Sequence, residues 1–316
     1  MFKLPNGFDI GPYIVLMFVA FMLYWFFPSN LAQRSPSLPQ NQRTAAQPAV
    51  VVPVPVPAVP EAAQDVVPPP VPEVMPSLPV APASLPEKRS EIQPGDHPRI
   101  AVVIDDLGLN AAATRAALAL PSEVALAFLP YGPGSAALAR AAQAQGHEVL
   151  LHLPMQPVGR ESPGPDALTT DLSDAELAAR VRRAFAAVPG TVGVNNHMGS
   201  LFTVDAVRLV PVMREIKSHG GFFLDSKTTP HSKALAAAHQ QGIPVLGRDV
   251  FLDDVVTEAE VRRALAQVEA VAVERSSAIA IGHPHSVTLT VLLPWLRQLA
   301  QRGFTLVPLT ALLPKV

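Results

Sequence analysis

Eight short apolar runs punctuate the C-terminal part of this chain: residues 100–104, 124–128, 149–151, 191–194, 221–224, 243–246, 278–281 and 304–307. Each is apolar along its length rather than alternating, and each is too short for a buried helix. Continuous runs of this kind suit parallel strands covered on both faces. Between them lie helical stretches with readable ends. Ser173-Asp174-Ala175-Glu176 and Thr257-Glu258-Ala259-Glu260 have the form of capping boxes, in which hydroxyl and carboxylate satisfy reciprocal backbone amides. Gly146, Gly220, Gly242 and Gly303 follow helical stretches, as glycines that end a helix do. Pro211 and Pro294 fall inside two of these stretches and are expected to kink or split them. Strands alternating with helices through residues 98–316 predict one α/β domain, a parallel barrel or a doubly wound sheet.

The first third is different. Thirty-five prolines among 316 residues are too many for one compact body. They crowd residues 28–97, in stretches such as VVPVPVPAVP and VVPPPVPEVMPSLPVAP. Proline fixes φ and removes a donor, so a disordered, semi-rigid polyproline linker is expected there. At about 3.1 Å per residue, about seventy residues reach roughly 200 Å. After a flank at residues 1–10, residues 11–27 read GPYIVLMFVAFMLYWFF, apolar and uncharged. As a helix they span about 25 Å, enough for a bilayer core. Tyr13, Tyr24 and Trp25 lie near the ends, where amphipathic rings favour the interface. A single retained transmembrane anchor is expected rather than a cleaved leader, because Pro28-Ser29-Asn30-Leu31-Ala32 is a poor cleavage site. Lys3 is offset by Asp9, with Arg34 and Arg43 on the other side, so charge does not fix the orientation. The net charge of −2 carries no basic excess and argues against nucleic acid as a partner. The absence of cysteine excludes disulfides, thiolate metal sites and cysteine nucleophiles.

Function is signalled by the polar residues that close the apolar runs. The first ends in Asp105-Asp106, the third in His152-Leu153-Pro154, and the fourth in Asn195-Asn196-His197-Met198-Gly199-Ser200. The fifth ends in Asp225-Ser226 and the seventh in His283-Pro284-His285. In parallel α/β folds the C-terminal strand ends converge on one mouth, so these residues are expected to meet. Imidazole and carboxylate are the ligand types that a divalent metal such as Zn²⁺ accepts in an open catalytic site. Such an ion acidifies water and polarises a carbonyl, while a carboxylate and a histidine beside it move protons. Asp105, Asp106, His152, His197 and His283 supply one residue for each of these roles. Asn195, Asn196, Asp225 and His285 are candidates to orient the ligands or contact substrate. His97, His147, His219, His231 and His239 fall at turns or helix ends and are expected to be solvated. Ser200 and Ser226 have no nucleophile-elbow motif around them, against a serine hydrolase.

The segments AVVIDDLG, LLHLPMQP, GVNNHMGS, GFFLDSKTTPHS, GRDVFLDD and AIAIGHPH together resemble the divergent polysaccharide deacetylase family, relatives of the enzymes that remove N-acetyl groups from chitin and peptidoglycan sugars. The resemblance covers about residues 98–312. It implies a distorted parallel (β/α) barrel of seven to eight strands and metal-dependent deacylation of an envelope polysaccharide. It further implies Asp105 as base, Asp106 as metal ligand and His283, in Ile281-Gly282-His283, as acid. The better-known deacetylases take two metal histidines from one H-x-x-x-H motif. Here the fourth position after His152 is Gln156, so His197 from the next strand is expected to complete the site. Their arginine-proline-tyrosine motif is absent. These departures keep open a catalytically silent glycan-binding or scaffolding domain on a stalk. A phosphoester hydrolase is disfavoured because Lys227 and Arg248 are the only cations near the mouth. The family places the domain outside the cytoplasm, anchored to the inner membrane.

Overall fold

The computed structural model describes residues 97–314. The expected flank, anchor and, His97 apart, the proline-rich linker lie outside the described residues. Among the described residues no helix is long and apolar enough to cross a membrane.

All eight apolar runs form strands: β1 (Arg99–Leu107), β2 (Ala125–Phe128), β3 (Val149–Met155), β4 (Thr191–Met198), β5 (Phe222–Asp225), β6 (Val245–Gly247), β8 (Ser277–Gly282) and β9 (Thr305–Leu306). A further two-residue strand, β7 (Val250–Phe251), was too short to read from the sequence. Helices α1 (Ala111–Ala117), α2 (Ser135–Ala144), α3 (Asp174–Ala187), α4 (Ala206–Ser218), α5 (Ala234–Gln241), α6 (Glu258–Arg275) and α7 (Ser286–Gln298) separate most of the strands. Every strand pairing is parallel, in the order β6-β5-β4-β3-β2-β1-β8-β7, with β9 added to the start of β1.

The curled sheet carries a different core on each face. Ile100, Val102, Leu151, Val194 and Phe223 point outward and pack with helix residues such as Leu177, Val181 and Val212. Their chain neighbours Ala101, Val103, Leu150 and Leu224, with Ile281 of β8, point inward into a separate cluster. Successive side chains on a strand face opposite sides, so both sets are needed to bury a continuous run. Gly193 shares the inward parity. A Cβ there would lie 2.5 Å from the Phe222 ring, so the glycine leaves room for that aromatic.

The ends of the sheet are joined by the chain itself. Only Arg248 and Asp249 separate β6 from β7, and no hydrogen bonds pair these two strands. The Arg248 amide donates to Asp225 O of β5 at 2.9 Å, and the next amide, Asp249, donates to Ile279 O of β8 at 2.9 Å. Two consecutive residues therefore bond to β5 and β8, each next to an edge strand, and the chain crosses between the two edges of the curled sheet without a ladder. At the N-terminal end of the strands, Leu309 and Leu312 enter the inner cluster. Their 3-10 turn is held by Thr310, bonded to Glu148, and by Arg99 Nη1 donating to Ala311 O at 3.1 Å. The turn plugs the end of the barrel opposite the strand C-termini.

The helix ends match their signals. Ser173 and Glu176 form the reciprocal capping box, and Thr257 caps the Glu260 amide. Gly146, Gly220, Gly242 and Gly303 all have positive φ. Pro211 and Pro294, however, do not split their helices, and α4 and α7 run through them. A proline inside a helix costs about 3 kcal/mol. Here buried faces carried by Leu209, Val212 and Ile216, and by Val291 and Trp295, hold the helices in place. His147 is not solvated: it is buried, with Nδ1 2.9 Å from Val124 O. His219 stacks on Phe185 with centroids 4.0 Å apart.

Leu309 is fully buried. Leu309→Ala is expected to cost about 2–5 kcal/mol in urea unfolding, the usual range for a buried leucine. A loss below about 1 kcal/mol would show that the plug does not pack as a core element.

Candidate active site

Adjacent residues of an extended strand face opposite sides, yet Asp105 and Asp106 both reach the mouth. The backbone supplies the reason. Ile104 pairs with Leu126 but Leu107 pairs with Phe128, so β1 holds one extra residue against β2. Asp106 has φ 58, the left-handed region, and this turn swings its side chain back beside that of Asp105.

Three ligand atoms from three strands meet there. Asp106 Oδ1 lies 2.9 Å from His197 Nδ1 and 3.2 Å from His152 Nε2. The two nitrogens are 3.1 Å apart. Asp106 Oδ1 is buried and has no hydrogen-bond partner. Ligands about 2.0–2.2 Å from one metal ion would lie about 3 Å or slightly more from one another, so the triangle fits one face of a coordination sphere. The electrostatics agree. Burial opposes charge on His152, but Asp105 and Asp106 outweigh it and raise its pKa. Burial likewise opposes charge on Asp106, but His152 and His197 hold its carboxyl far below the usual range. Asp106 is thus held ionised in a largely desolvated position, where a cation would find a partner. These residues fit a divalent metal.

Asn195 organises the histidine side. Its Oδ1 lies 3.0 Å from His152 Nδ1, which leaves Nε2 directed at the other two ligand atoms. Its Nδ2 donates to Asp105 Oδ1 at 2.8 Å and to Ser226 Oγ at 3.2 Å. One buried amide thus fixes the imidazole of one ligand and the carboxylate beside the site, a common arrangement behind metal ligands. Asp105 is buried, and desolvation, partly offset by His152, raises its pKa. A carboxylate with a raised pKa is a stronger proton acceptor than an exposed aspartate.

His283 stands across the mouth, with Nε2 3.8 Å from Asp106 Oδ2. Its partner, Asp253, was not identified from sequence. Asp253 Oδ1 lies 3.0 Å from His283 Nδ1, and Oδ2 accepts from the His283 amide at 2.7 Å and from Thr288 Oγ1 at 2.8 Å. Burial disfavours the imidazolium, but the Asp253 bond and the charges of Asp105, Asp253 and Asp106 push its pKa up to about 9. At neutral pH it is a proton donor held in orientation by a carboxylate.

The remaining candidates fall elsewhere. Asn196 is buried, with Oδ1 accepting the Ser226 amide at 2.8 Å and Nδ2 donating to Met198 O at 2.8 Å, so it braces backbone. Asp225 shares the outward parity of Phe223 and accepts the Lys227 amide at 2.8 Å; it orients no ligand, and Asn195 takes that role. His285 sits exposed on the rim, its ring 5.9 Å from that of His283. Gln156, in place of a second histidine, accepts the Thr170 amide at 2.9 Å and pins the loop after β3. Arg248 lies at the strand crossing, held by Ser226 O at 2.6 Å and Lys227 O at 2.9 Å, with attraction to Asp105 opposing the effect of its own burial. Arg248, expected near the mouth, and Asp253 both stand in the GRDVFLDD segment, and for Asp253 the end of a two-residue strand was the only signal available.

The raised pKa of His283 stabilises the folded protein fully below 6.5, and this contribution fades as pH rises through about 9. In metal-free protein the His283 ring should titrate near 9 by NMR, and Asp253→Asn should move the midpoint toward 6.5. An unchanged midpoint in that variant would show that Asp253 does not control the proton on His283.

An uncharacterized protein of Escherichia coli strain K12, YibQ, is 39% identical over 194 residues, covering 61% of this chain and 61% of that protein. The match thus spans less than two thirds of that relative. An uncharacterized protein of Haemophilus influenzae is 37% identical over 203 residues, covering 64% of this chain and 72% of its own length. A crystal structure of an uncharacterized protein from Agrobacterium tumefaciens C58 superposes with TM-score 0.67 at 32% identity, covering 70% of this chain and 92% of that one. Residues 102–313 match the divergent polysaccharide deacetylase family, and the chain belongs to it.

Proposed function

We propose that this domain is a metal-dependent hydrolase that removes an acyl group, N-acetyl in the simplest case, from an envelope polysaccharide. The observation that carries this reading is the triangle of Asp106, His152 and His197, with an orphaned carboxylate oxygen at one corner. Bound there, a divalent ion, Zn²⁺ in our reading, would acidify water and polarise the acyl carbonyl. Asp105 takes the proton of the attacking water as the new carbon–oxygen bond forms. His283 gives its proton to the amine nitrogen as the carbon–nitrogen bond breaks, and Asp253 holds the imidazole in line. Asn195 keeps Asp105 and His152 in register.

His197 supplies the nitrogen that Gln156 does not, which supports hydrolysis over a silent glycan-binding role. We read residues 11–27 as an anchor in the inner membrane and residues 28–97 as a spacer, from their sequence alone. On that reading the catalytic domain, residues 98–316, faces the periplasm or cell exterior and reaches glycan above the bilayer.

In the full chain, Asp106→Ala and His197→Ala should each abolish stoichiometric zinc, measured by elemental mass spectrometry after dialysis. Asp105→Asn should retain zinc and lose about 10²–10⁴-fold in acetate release from N-acetylated glycan. Full metal content in both ligand variants would remove the site, and undiminished acetate release by Asp105→Asn would remove the base.

A further inference from the structure

Among the described residues, one trio besides the ligand triangle has the make-up of a metal site: Asp253, His283 and His285. One ligand atom from each lies within 4.8 Å of the other two. The Asp253 side chain is wholly buried. Its Oδ2 accepts from the His283 amide and from Thr288 Oγ1, which leaves Oδ1 directed at His283 Nδ1, 3.0 Å away. Pro284 alone separates the two histidines, whose rings lie 5.9 Å apart and tilted by 46°.

His285 is the odd member. It occupies the N-cap of α7, a position that favours Ser, Thr, Asp and Asn because their side chains accept a backbone amide. The His285 side chain makes no capping bond and stands exposed on the rim. The start of the helix therefore makes no use of this imidazole and leaves its ring able to turn. Ligands about 2.0–2.2 Å from one ion lie about 3–4 Å from one another, so a turn of this one ring closes the set. Two imidazoles and a carboxylate suit Zn²⁺, with a fourth position left for water.

We propose that Asp253, His283 and His285 form a second, weaker zinc site, through which excess metal inhibits the enzyme. The inhibition rests on the hydrolase reading; the binding does not. The site is the weaker of the two because it orders an exposed side chain and stands at the positive end of the α7 dipole. Histidine binds a metal only as neutral imidazole. Whichever ring nitrogen His283 offers, the ion sends the proton of that nitrogen to solvent. The ring then lacks the imidazolium charge that makes it an acid toward the leaving amine, and the Asp253 oxygen that oriented it is taken up by the metal.

The test is equilibrium titration of the full chain with zinc against a chromogenic chelator, without dialysis. The wild-type chain should bind two ions, the second about tenfold or more weakly than the first. His285→Ser, which gives α7 a capping residue, should bind one. Asp106→Ala should keep only the weaker ion, which dialysis then removes, and the double variant should bind none. Acetate release from N-acetylated glycan should fall about 10²-fold or more as the second ion binds, and should not fall in His285→Ser. One ion in the wild-type chain, or a second ion that survives in His285→Ser, would overturn the second site while leaving the Asp106 triangle in place. A second ion that binds without slowing acetate release would overturn the inhibition. Absence of acetate release at every zinc level would overturn the hydrolase and the inhibition with it, while the stoichiometry still decides whether the second site exists.

Discussion

Two carboxylates side by side in sequence cannot share one face of an extended strand. The site depends on how this chain breaks that rule at Asp106. A left-handed residue and one extra position against β2 bring both acids to the mouth, one buried and bonded to Asn195, the other aimed at two imidazoles. A non-glycine residue held in that region costs about 1–3 kcal/mol and persists only where its surroundings fix it. The surroundings here are specific. Gly108, two residues on, donates its amide to Thr114 Oγ1 at 3.1 Å, and a Cβ at Gly108 would lie 1.9 Å from Ser135 Oγ. The turn after β1 is therefore locked against the start of α2.

The same device recurs at two other strand ends. Met198 closes β4 with φ 54, and Lys227 follows β5 with φ 50. Met198 O accepts from Asn196 Nδ2 and from Thr228 Oγ1, at 2.8 and 2.9 Å. Asp225 accepts the Lys227 amide. Asn196 and Asp225, expected to orient ligands or contact substrate, thus bond to this backbone. The strain lies where the ligands are presented, and the buried amides and carboxylates around it keep the presentation rigid.

Electrostatics divides the mouth into two sides. Asp105 and Asp106 stand with His152 in a largely desolvated space, where burial and the neighbouring charges push Asp105 and His152 up and Asp106 down. His283 faces them with its own carboxylate behind it and stays protonated at neutral pH. Two acidic residues with opposite shifts, Asp105 upward and Asp106 downward, stand one residue apart. Environment, not residue type, sets these two carboxyls apart, as the proposed roles of proton acceptor and ligand require.

The sequence by itself determined eight strands, the helices between them, their caps and the mouth where polar residues collect. Each of these derives from local rules: the length of an apolar run, a hydroxyl three residues before a carboxylate, a glycine past a helix end. It also named Asp105, Asp106, His152, His197 and His283, because parallel strands send all their C-terminal ends to one side. Only the tertiary structure decided which neighbours serve them. Asn195 and Asn196 are alike in sequence, yet strand parity turns one toward the ligands and the other toward the backbone of β5. Asp225 was lost to the site by the same parity. Asp253 was hidden because a two-residue strand leaves no periodic trace, and its position arises from the crossing that joins the two edges of the sheet. Pairing across residues far apart in sequence is set by packing, which local pattern does not encode.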